Sequence, residues 1–104
     1  MPFEQFTVRS LTPVSVRTNA PPASGVYAIC NAREWIYVGE SDNIRASLLA
    51  ELQQRDSAIL RRRPTGFVSE VCSPAERGAR QLQLIDHYRP VCNGRSQMGI
   101  GASE

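Results

Sequence analysis

Two short segments rich in β-branched and aromatic residues, GVYAICN and EWIYVG, follow one another through a polar turn, NARE. In the first segment Val26, Ala28 and Cys30 alternate with Tyr27 and Ile29, which is the period of two that a strand requires. Two such strands joined by a short polar turn predict an antiparallel hairpin. The hairpin constrains the fold more than any other feature, because it fixes a sheet with two distinct faces.

The segment after the hairpin predicts a helix. Ser41 or Asp42 can cap its N-terminus. One face is apolar, since four residues fall at helical spacing: Ile44, Leu48, Leu49 and Leu52. The helix is expected to end within residues 55–63, because Pro64 cannot continue it.

The second half of the chain predicts one more strand and one more helix. GFVSEVC alternates as a strand does, and SPAE, Ser73 to Glu76, has the pattern of a capping box with Pro74 at the first helical position. The helix should reach about Tyr88, before Arg89-Pro90. The predicted class is α+β: a small three-stranded, mainly antiparallel sheet flanked by helices in the order β-β-α-β-α.

Length and composition predict one domain over residues 1–104. Its core is expected at 22–93, after an irregular or short-strand lead-in at 1–21 and before a flexible, glycine-rich tail at 94–104. No apolar run has the roughly 20 residues that a membrane span requires, and no secretory signal is visible. We therefore expect no membrane partner and a cytoplasmic location.

The cysteines do not predict a metal site. Cys30, Cys72 and Cys92 are scattered, and His87 is the single histidine of the sequence. This spacing argues against both a zinc site and a disulfide framework.

Two triplets of the hairpin, Gly25-Val26-Tyr27 and Tyr37-Val38-Gly39, resemble the paired motif of the GIY-YIG nuclease domain. That family includes homing endonucleases, some restriction enzymes and the incision subunit of nucleotide-excision repair. The ending QLQLIDHYRPVCN is similar to the closing signature of the family. The structural positions that match are Gly25, Gly39, Asn43, Pro90 and Asn93.

The resemblance implies the chemistry of phosphodiester hydrolysis. In the family a hairpin tyrosine is the general base, an arginine on the first helix stabilises the charge on phosphorus, and a glutamate on the later helix binds one divalent metal. Carried over by position, the tyrosines are Tyr27 and Tyr37, the arginine position is Ser47 and the glutamate position is Gln81. These four residues are expected to converge on one surface pocket.

The two charged positions therefore depart from the family. Arg45 cannot simply replace the missing arginine, because two residues earlier on a helix it projects about 200° away from Ser47. A neutral amide at Gln81 is a poor sole ligand for Mg²⁺. We predict a domain that has lost hydrolysis, uses no cofactor, and serves as a nucleic-acid-binding or regulatory module.

Other interpretations stay open. An active endonuclease, using Mg²⁺, could draw an arginine and a carboxylate from elsewhere in the chain, although nothing in the spacing of Glu40, Glu51 or Glu76 places one at the metal position. A protein-interaction module would need no nucleic acid at all. Without the match at the end of the chain, Tyr27 and Tyr37 would be ordinary strand aromatics.

A basic run is the candidate for binding DNA. All twelve basic residues are arginine, and the residues considered are Arg45, Arg55, Arg61, Arg62 and Arg63. Such cations also suit the C-terminal end of a helix, where they need bind nothing. Because few aromatic residues are available to stack on bases, any binding to DNA should be weak, sequence-independent and sensitive to salt.

Overall fold

The computed structural model describes residue 3 and residues 7–54 and 57–93. The strands are β1 (Arg9–Ser10), β2 (Gly25–Cys30), β3 (Trp35–Ser41) and β4 (Gly66–Val71), and the helices are α1 (Pro13–Asn19), α2 (Ile44–Leu52), α3 (Ala58–Arg61) and α4 (Pro74–Tyr88). The strands form one antiparallel sheet in the order β1-β4-β2-β3. The predicted α+β class, an antiparallel sheet flanked by helices, is confirmed. The predicted tail at 94–104 lies outside the described residues.

The predicted hairpin is confirmed, with Tyr27 opposite Gly39 and Ile29 opposite Tyr37. Between Ile29 and Cys30 the register shifts, so Ile36 is an extra residue of β3. This bulge lets Ile36 and Tyr37, although adjacent in sequence, both pack on the cluster that contains Tyr27. Alternation on β2 then assigns Tyr27 to that cluster and Val26 to the other one.

Each face of the sheet has its own core. Tyr27 and Ile29 pack with Ile44 and Leu48 of α2, which are fully buried. On the other face, the cluster joins α4 to the sheet through four buried residues: Val26, Val38, Val68 and Leu84. Both faces are covered, which accounts for the complete burial of the central strand β2.

The lead-in, which the sequence predicts to be irregular or a short strand, contains a short strand and also a helix that was not predicted. Two residues, β1, pair with β4 and bring the sheet to four strands instead of three. Helix α1 begins at Pro13, and the Thr12 side chain accepts a hydrogen bond from the Ser15 backbone N–H. Val16 of α1 is fully buried, so tertiary packing holds this short helix.

Three details of the helices correct the sequence prediction. The N-cap of α2 is Asn43 instead of Ser41 or Asp42, because the Asn43 side chain accepts from the Ala46 N–H. Helix α2 ends at Leu52, and Ser57 caps a separate helix, α3. Helix α4 keeps the expected bounds but has no capping box, since the Ser73 side chain makes no capping hydrogen bond. Among the described residues, no helix is long and apolar enough to cross a membrane.

Candidate active site

The two tyrosines lie side by side on one face of the hairpin. Their ring centroids are 6.2 Å apart, and both rings border Gly39. A Cβ at Gly39 would lie 2.5 Å from Cζ and 2.6 Å from the hydroxyl oxygen of Tyr27, and 2.8 Å from Cε2 of Tyr37. Only glycine leaves room for this arrangement, which brings two phenols to the edge strand β3.

Both phenols are protonated at neutral pH. Burial raises the pKa of Tyr27 well above its ordinary value, and the neighbouring Tyr37 and the negative charge of Glu51 raise it further. The pKa of Tyr37 is also raised, first by burial and then by Glu51. A general base would need the opposite influence, since a nearby cation lowers the pKa of a phenol.

Ser47, at the expected arginine position, lies on α2 and contacts the last residue of β3. Its hydroxyl oxygen is 2.6 Å from that of Ser41, and the Ser41 oxygen also accepts from the Asn43 N–H. Ser47 is half-buried and bonded to a neutral partner. Arg45 extends elsewhere, because its Nε donates to the Ala20 carbonyl. This agrees with the predicted divergence of Arg45 from Ser47.

Gln81, at the expected glutamate position, lies against the edge of β3. Its Nε2 donates to the Val38 carbonyl over 3.2 Å, which leaves the amide oxygen available to another donor or to a metal. The same carbonyl accepts from Nδ2 of Asn93 at 2.8 Å, and Asn93 Oδ1 accepts from the Val38 N–H. Asn93 therefore pairs with the outer edge of β3 in place of another strand.

The structure brings the tyrosines together, and the side chains of Ser47 on α2 and Gln81 on α4 both contact strand β3. The ring of Tyr27 borders Gly39 of β3, the residue after Val38. The convergence of all four side chains on one pocket stays a prediction. Tyr37 belongs to β3, and the other three side chains each contact a residue of β3 within 38–41.

The candidate DNA-binding arginines that the structure describes have different surroundings. Arg61, Arg62 and Arg63 are exposed near the hairpin turn, where Arg62 pairs with Glu34 at 3.4 Å and its carbonyl accepts from Asn31. Arg45 is held at the Ala20 carbonyl instead. Arg55 lies outside the described residues.

Two further charged residues lie on the helices that carry Ser47 and Gln81: Glu51, which the sequence analysis did not place at the metal position, and Arg77, which it did not consider. Glu51 of α2 accepts a hydrogen bond of 2.5 Å from Ser57 Oγ and influences both phenols. Arg77 of α4 pairs with Glu40 at 2.8 Å and donates to Ser24 Oγ at 3.2 Å. Helical spacing could have found them, because Glu51 is four residues after Ser47 and Arg77 four before Gln81.

An antiparallel sheet with paired tyrosines and glycines in its hairpin, and α2 and α4 beside the edge strand, defines a GIY-YIG domain. The chain belongs to this family. No protein-family model matches it. The Excinuclease Cho proteins of Salmonella typhi and Salmonella typhimurium are 33% identical to it over 82 residues, which cover 75% of this chain. The chain spans 28% of the length of these curated relatives.

Solved structures agree on the fold. The GIY-YIG N-terminal endonuclease domain of UvrC from Thermotoga maritima, bound to magnesium, superposes with a TM-score of 0.62 at 25% identity. The superposition covers 72% of this chain and 91% of that chain. A point variant of the same domain, bound to its catalytic divalent cation, gives a TM-score of 0.61 at 25% identity, over 72% and 90% of the two chains.

These structures contradict the prediction that the domain uses no cofactor, because the matching domain holds a catalytic divalent cation, magnesium in one case. The prediction was wrong because it rested on the lost charge of Gln81 alone. Residues 3, 7–54 and 57–93 contain no group of three or more histidine, cysteine, aspartate or glutamate side chains that could enclose a metal. The amide oxygen of Gln81 is an oxygen ligand of the kind that Mg²⁺ accepts, and Mg²⁺ usually keeps several waters and takes only one or two protein carboxylates.

Proposed function

We propose that this domain binds the phosphodiester backbone of DNA together with a divalent cation, and that it hydrolyses DNA slowly or not at all. One observation carries the proposal. The positions of the family's arginine and glutamate are Ser47 and Gln81, and both side chains are hydrogen-bonded to neutral groups of the fold. The tyrosine hairpin, in contrast, retains the matching residues.

The expected loss of hydrolysis follows from electrostatics. A fixed cation beside the developing phosphate charge and a carboxylate holding the metal each contribute a few kcal/mol to lowering such a barrier, roughly 10²- to 10³-fold in rate. Tyr27 and Tyr37 cannot compensate, because both pKa values are raised and a neutral phenol is a weak base.

Binding to DNA would be directed to the backbone. The exposed run Arg61–Arg63 offers charge without a stacking surface, so affinity should fall steeply with salt and depend little on sequence. Such a domain would act as a recognition or regulatory module in the cytoplasm. A protein partner instead of DNA is the outcome that a complete lack of DNA binding would favour.

An active endonuclease is the second candidate. It is favoured by Glu51 and Arg77, which place one carboxylate and one guanidinium within a helical turn of the two substituted positions. This reading predicts metal-dependent cleavage by the wild-type protein.

Plasmid cleavage with Mg²⁺ or Mn²⁺ separates these candidates. We expect no measurable nicking by the wild-type protein, together with weak, salt-sensitive retention of a labelled duplex. The double variant Ser47→Arg plus Gln81→Glu should gain cleavage, because it restores both charges beside tyrosines already in place, whereas each single change should do little. Tyr27→Phe added to the double variant is the control, and it should abolish the gained activity.

Robust metal-dependent cleavage by the wild-type protein, lost in Tyr27→Phe, would replace the first candidate with the second. If the wild-type protein retains no duplex even at low salt, with or without the cation, the DNA-binding proposal itself is wrong. Circular dichroism of each variant checks that a negative result does not come from unfolding.

A further inference from the structure

Helix α4 ends at the hairpin end of the sheet, beside a row of three paired residues. Cys30 of β2 pairs with Trp35 of β3 on one side and with Gly66 of β4 on the other. Trp35 packs with the cluster on the α4 face of the sheet, so the row belongs to that face. The last residue of α4, Tyr88, packs its ring on Trp35 at a centroid distance of 4.5 Å. The helix therefore stops at the Trp35 end of this row.

A cavity of about 420 Å³ lies beside the row. Its apolar lining comes from Val8, Cys30 and Trp35, and its polar lining includes Arg33 and Thr65. Small-molecule sites in proteins have volumes of roughly 300–1,000 Å³ and combine apolar walls with a few polar groups. The cavity has the size and the mixed lining that a small organic ligand needs.

Arginines lie beside this cavity. Arg33 is exposed in the hairpin turn and lines the cavity directly. The exposed run Arg61–Arg63 is held next to the same turn, because Asn31 Nδ2 donates to the Arg62 carbonyl at 2.8 Å. Glu34 also lines the cavity, but its carboxylate pairs with Arg62 at 3.4 Å. The charge around the cavity is therefore positive, which favours an anionic ligand.

A nucleotide combines the two properties that the cavity favours. The faces of its base are flat and apolar, and stack on aromatic side chains, whereas its phosphate pairs with guanidinium groups. The bases of an intact duplex are stacked inside the helix and cannot enter a protein cavity. Only a nucleotide without a pairing partner can therefore place its base here while the neighbouring phosphates stay on the arginine run.

We propose that this cavity binds one unpaired nucleotide of DNA, with the base against Val8 and Trp35 and the phosphate at Arg33. The inference rests on the proposed function, because the DNA backbone must already lie along Arg61–Arg63. It adds the class of DNA that the domain prefers, which is DNA with an unpaired nucleotide. Contacts to fully paired DNA remain directed to the backbone.

The test compares three labelled DNA ligands. One is a paired duplex, the second is the same duplex with one extra unpaired deoxyadenosine, and the third has an abasic residue in place of that deoxyadenosine. The second should bind at least about fivefold more tightly than the third, which is the lower limit of what stacking one base on an aromatic side chain contributes. This ratio should not change with salt, because the two ligands carry the same phosphates and release the same counterions.

Trp35 also gives a direct optical signal, because it is the single tryptophan of the sequence. A base that stacks beside the indole should quench its fluorescence, so the ligand with the unpaired deoxyadenosine should quench Trp35. The abasic ligand and the paired duplex should leave the fluorescence nearly unchanged at saturation.

Two variants test the phosphate contact. Arg33→Gln should lower the affinity for the unpaired ligand several-fold and reduce its salt slope by about one unit. Arg17→Gln is the matched control, because Arg17 is equally exposed but lies on α1, and it should leave the affinity and the slope unchanged.

Two further variants test the contact with the base. Val8→Ala shortens the apolar wall and should reduce the preference for the unpaired base over the abasic residue by about twofold or more. Val14→Ala removes the same atoms from an exposed valine of α1 and should leave the preference unchanged. Circular dichroism of each variant checks that the fold is intact.

Equal affinities for the unpaired and abasic ligands, or unchanged Trp35 fluorescence at saturation, would overturn this inference while the proposed function stands, because backbone binding would remain. A preference for the unpaired base that neither Arg33→Gln nor Val8→Ala reduces would place the base outside this cavity and would also overturn the assignment. If the wild-type protein binds none of the three ligands at low salt, the proposed function and this inference both fall.

Discussion

The candidate site has a hairpin half, with the glycines and tyrosines, and a helix half, with Ser47 and Gln81. The first is fixed by close packing and the second by single hydrogen bonds. In the hairpin, Gly25 and Gly39 are buried where a side chain would collide with neighbouring strands or rings. On the helices, Ser47 and Gln81 are half-buried and make single hydrogen bonds that other residues could replace. The hairpin residues are required for folding, whereas the two helical positions are constrained mainly by chemistry.

Because of this difference, the presence of the tyrosine–glycine motif is weak evidence for hydrolytic activity. Tyr27 packs in the core and is 7% exposed, so a folded domain keeps it whether or not it cleaves DNA. The residues at 47 and 81 are therefore more informative about hydrolysis than the triplets. The comparison predicts large stability losses in the hairpin and small ones on the helices.

The largest effect is expected for Gly25→Ala. A Cβ there would overlap the Glu70 carbonyl and lie 2.9 Å from the Val71 Cα and 2.8 Å from Ile44 Cδ1, so backbone on β4 would have to move. We expect a loss of about 3 kcal/mol or more in the free energy of unfolding, at the upper end for overpacked cores. Urea denaturation followed by circular dichroism measures it.

Gly78→Ala is the matched control, because its Cβ would meet only Glu40 Oε2, at an ordinary 3.8 Å. Alanine in the middle of α4 should raise stability by up to about 1 kcal/mol. A Gly25→Ala protein as stable as the wild type would remove the claim that the hairpin glycines are required by packing.

Most of the sheet was predictable because its strands alternate and its turn is polar. Helix α1 was missed although Thr12 and Pro13 form an N-terminal helix signal, because the segment is short and its stability comes from the burial of Val16. The bulge at Ile36 could not be predicted from the alternation of residues either, since alternation alone places neighbouring side chains on opposite faces of the sheet.

The candidate site, like the fold, was predictable only in part. Tyr27, Tyr37 and the Asn93 position followed from the resemblance, which matches residues to motif positions. The hydrogen bonds of Ser47 to Ser41 and of Gln81 to the Val38 carbonyl did not, because only the packing of α2 and α4 shows which residues of β3 each helix contacts. A gapless match to a motif identifies the substituted positions but not the partners that their side chains find in the fold.

A medium effect is expected for Asn93→Ala. Asn93 is 5% exposed and bonds both the N–H and the carbonyl of Val38 on the edge strand. Its loss leaves the buried N–H without that acceptor, so the free energy of unfolding should fall by about 2–3 kcal/mol. The measurement is again urea denaturation. Asn31→Ala should cost less, because the Asn31 side chain, which donates to the Arg62 carbonyl and accepts from the N–H groups of Arg33 and Glu34, is more exposed and its partners can turn to water.

The smallest effects are expected for Ser47→Ala and Gln81→Ala, each below about 1 kcal/mol. Ser41 keeps its bond from the Asn43 N–H when Ser47 is shortened. The Val38 carbonyl keeps Asn93 when Gln81 is shortened, and alanine favours the helix.

A double-mutant cycle sharpens this last prediction, because Gln81 and Asn93 share one acceptor, the Val38 carbonyl. In the wild-type background Gln81→Ala leaves that acceptor satisfied by Asn93. In the Asn93→Ala background it removes the remaining donor, so the double variant should lose more stability than the two single changes added together, by about 0.5–1 kcal/mol. Strict additivity would mean that Gln81 does not bond to the strand in solution. A large loss of stability for Gln81→Ala alone would mean that folding, and not only the chemistry of the site, constrains this helical position.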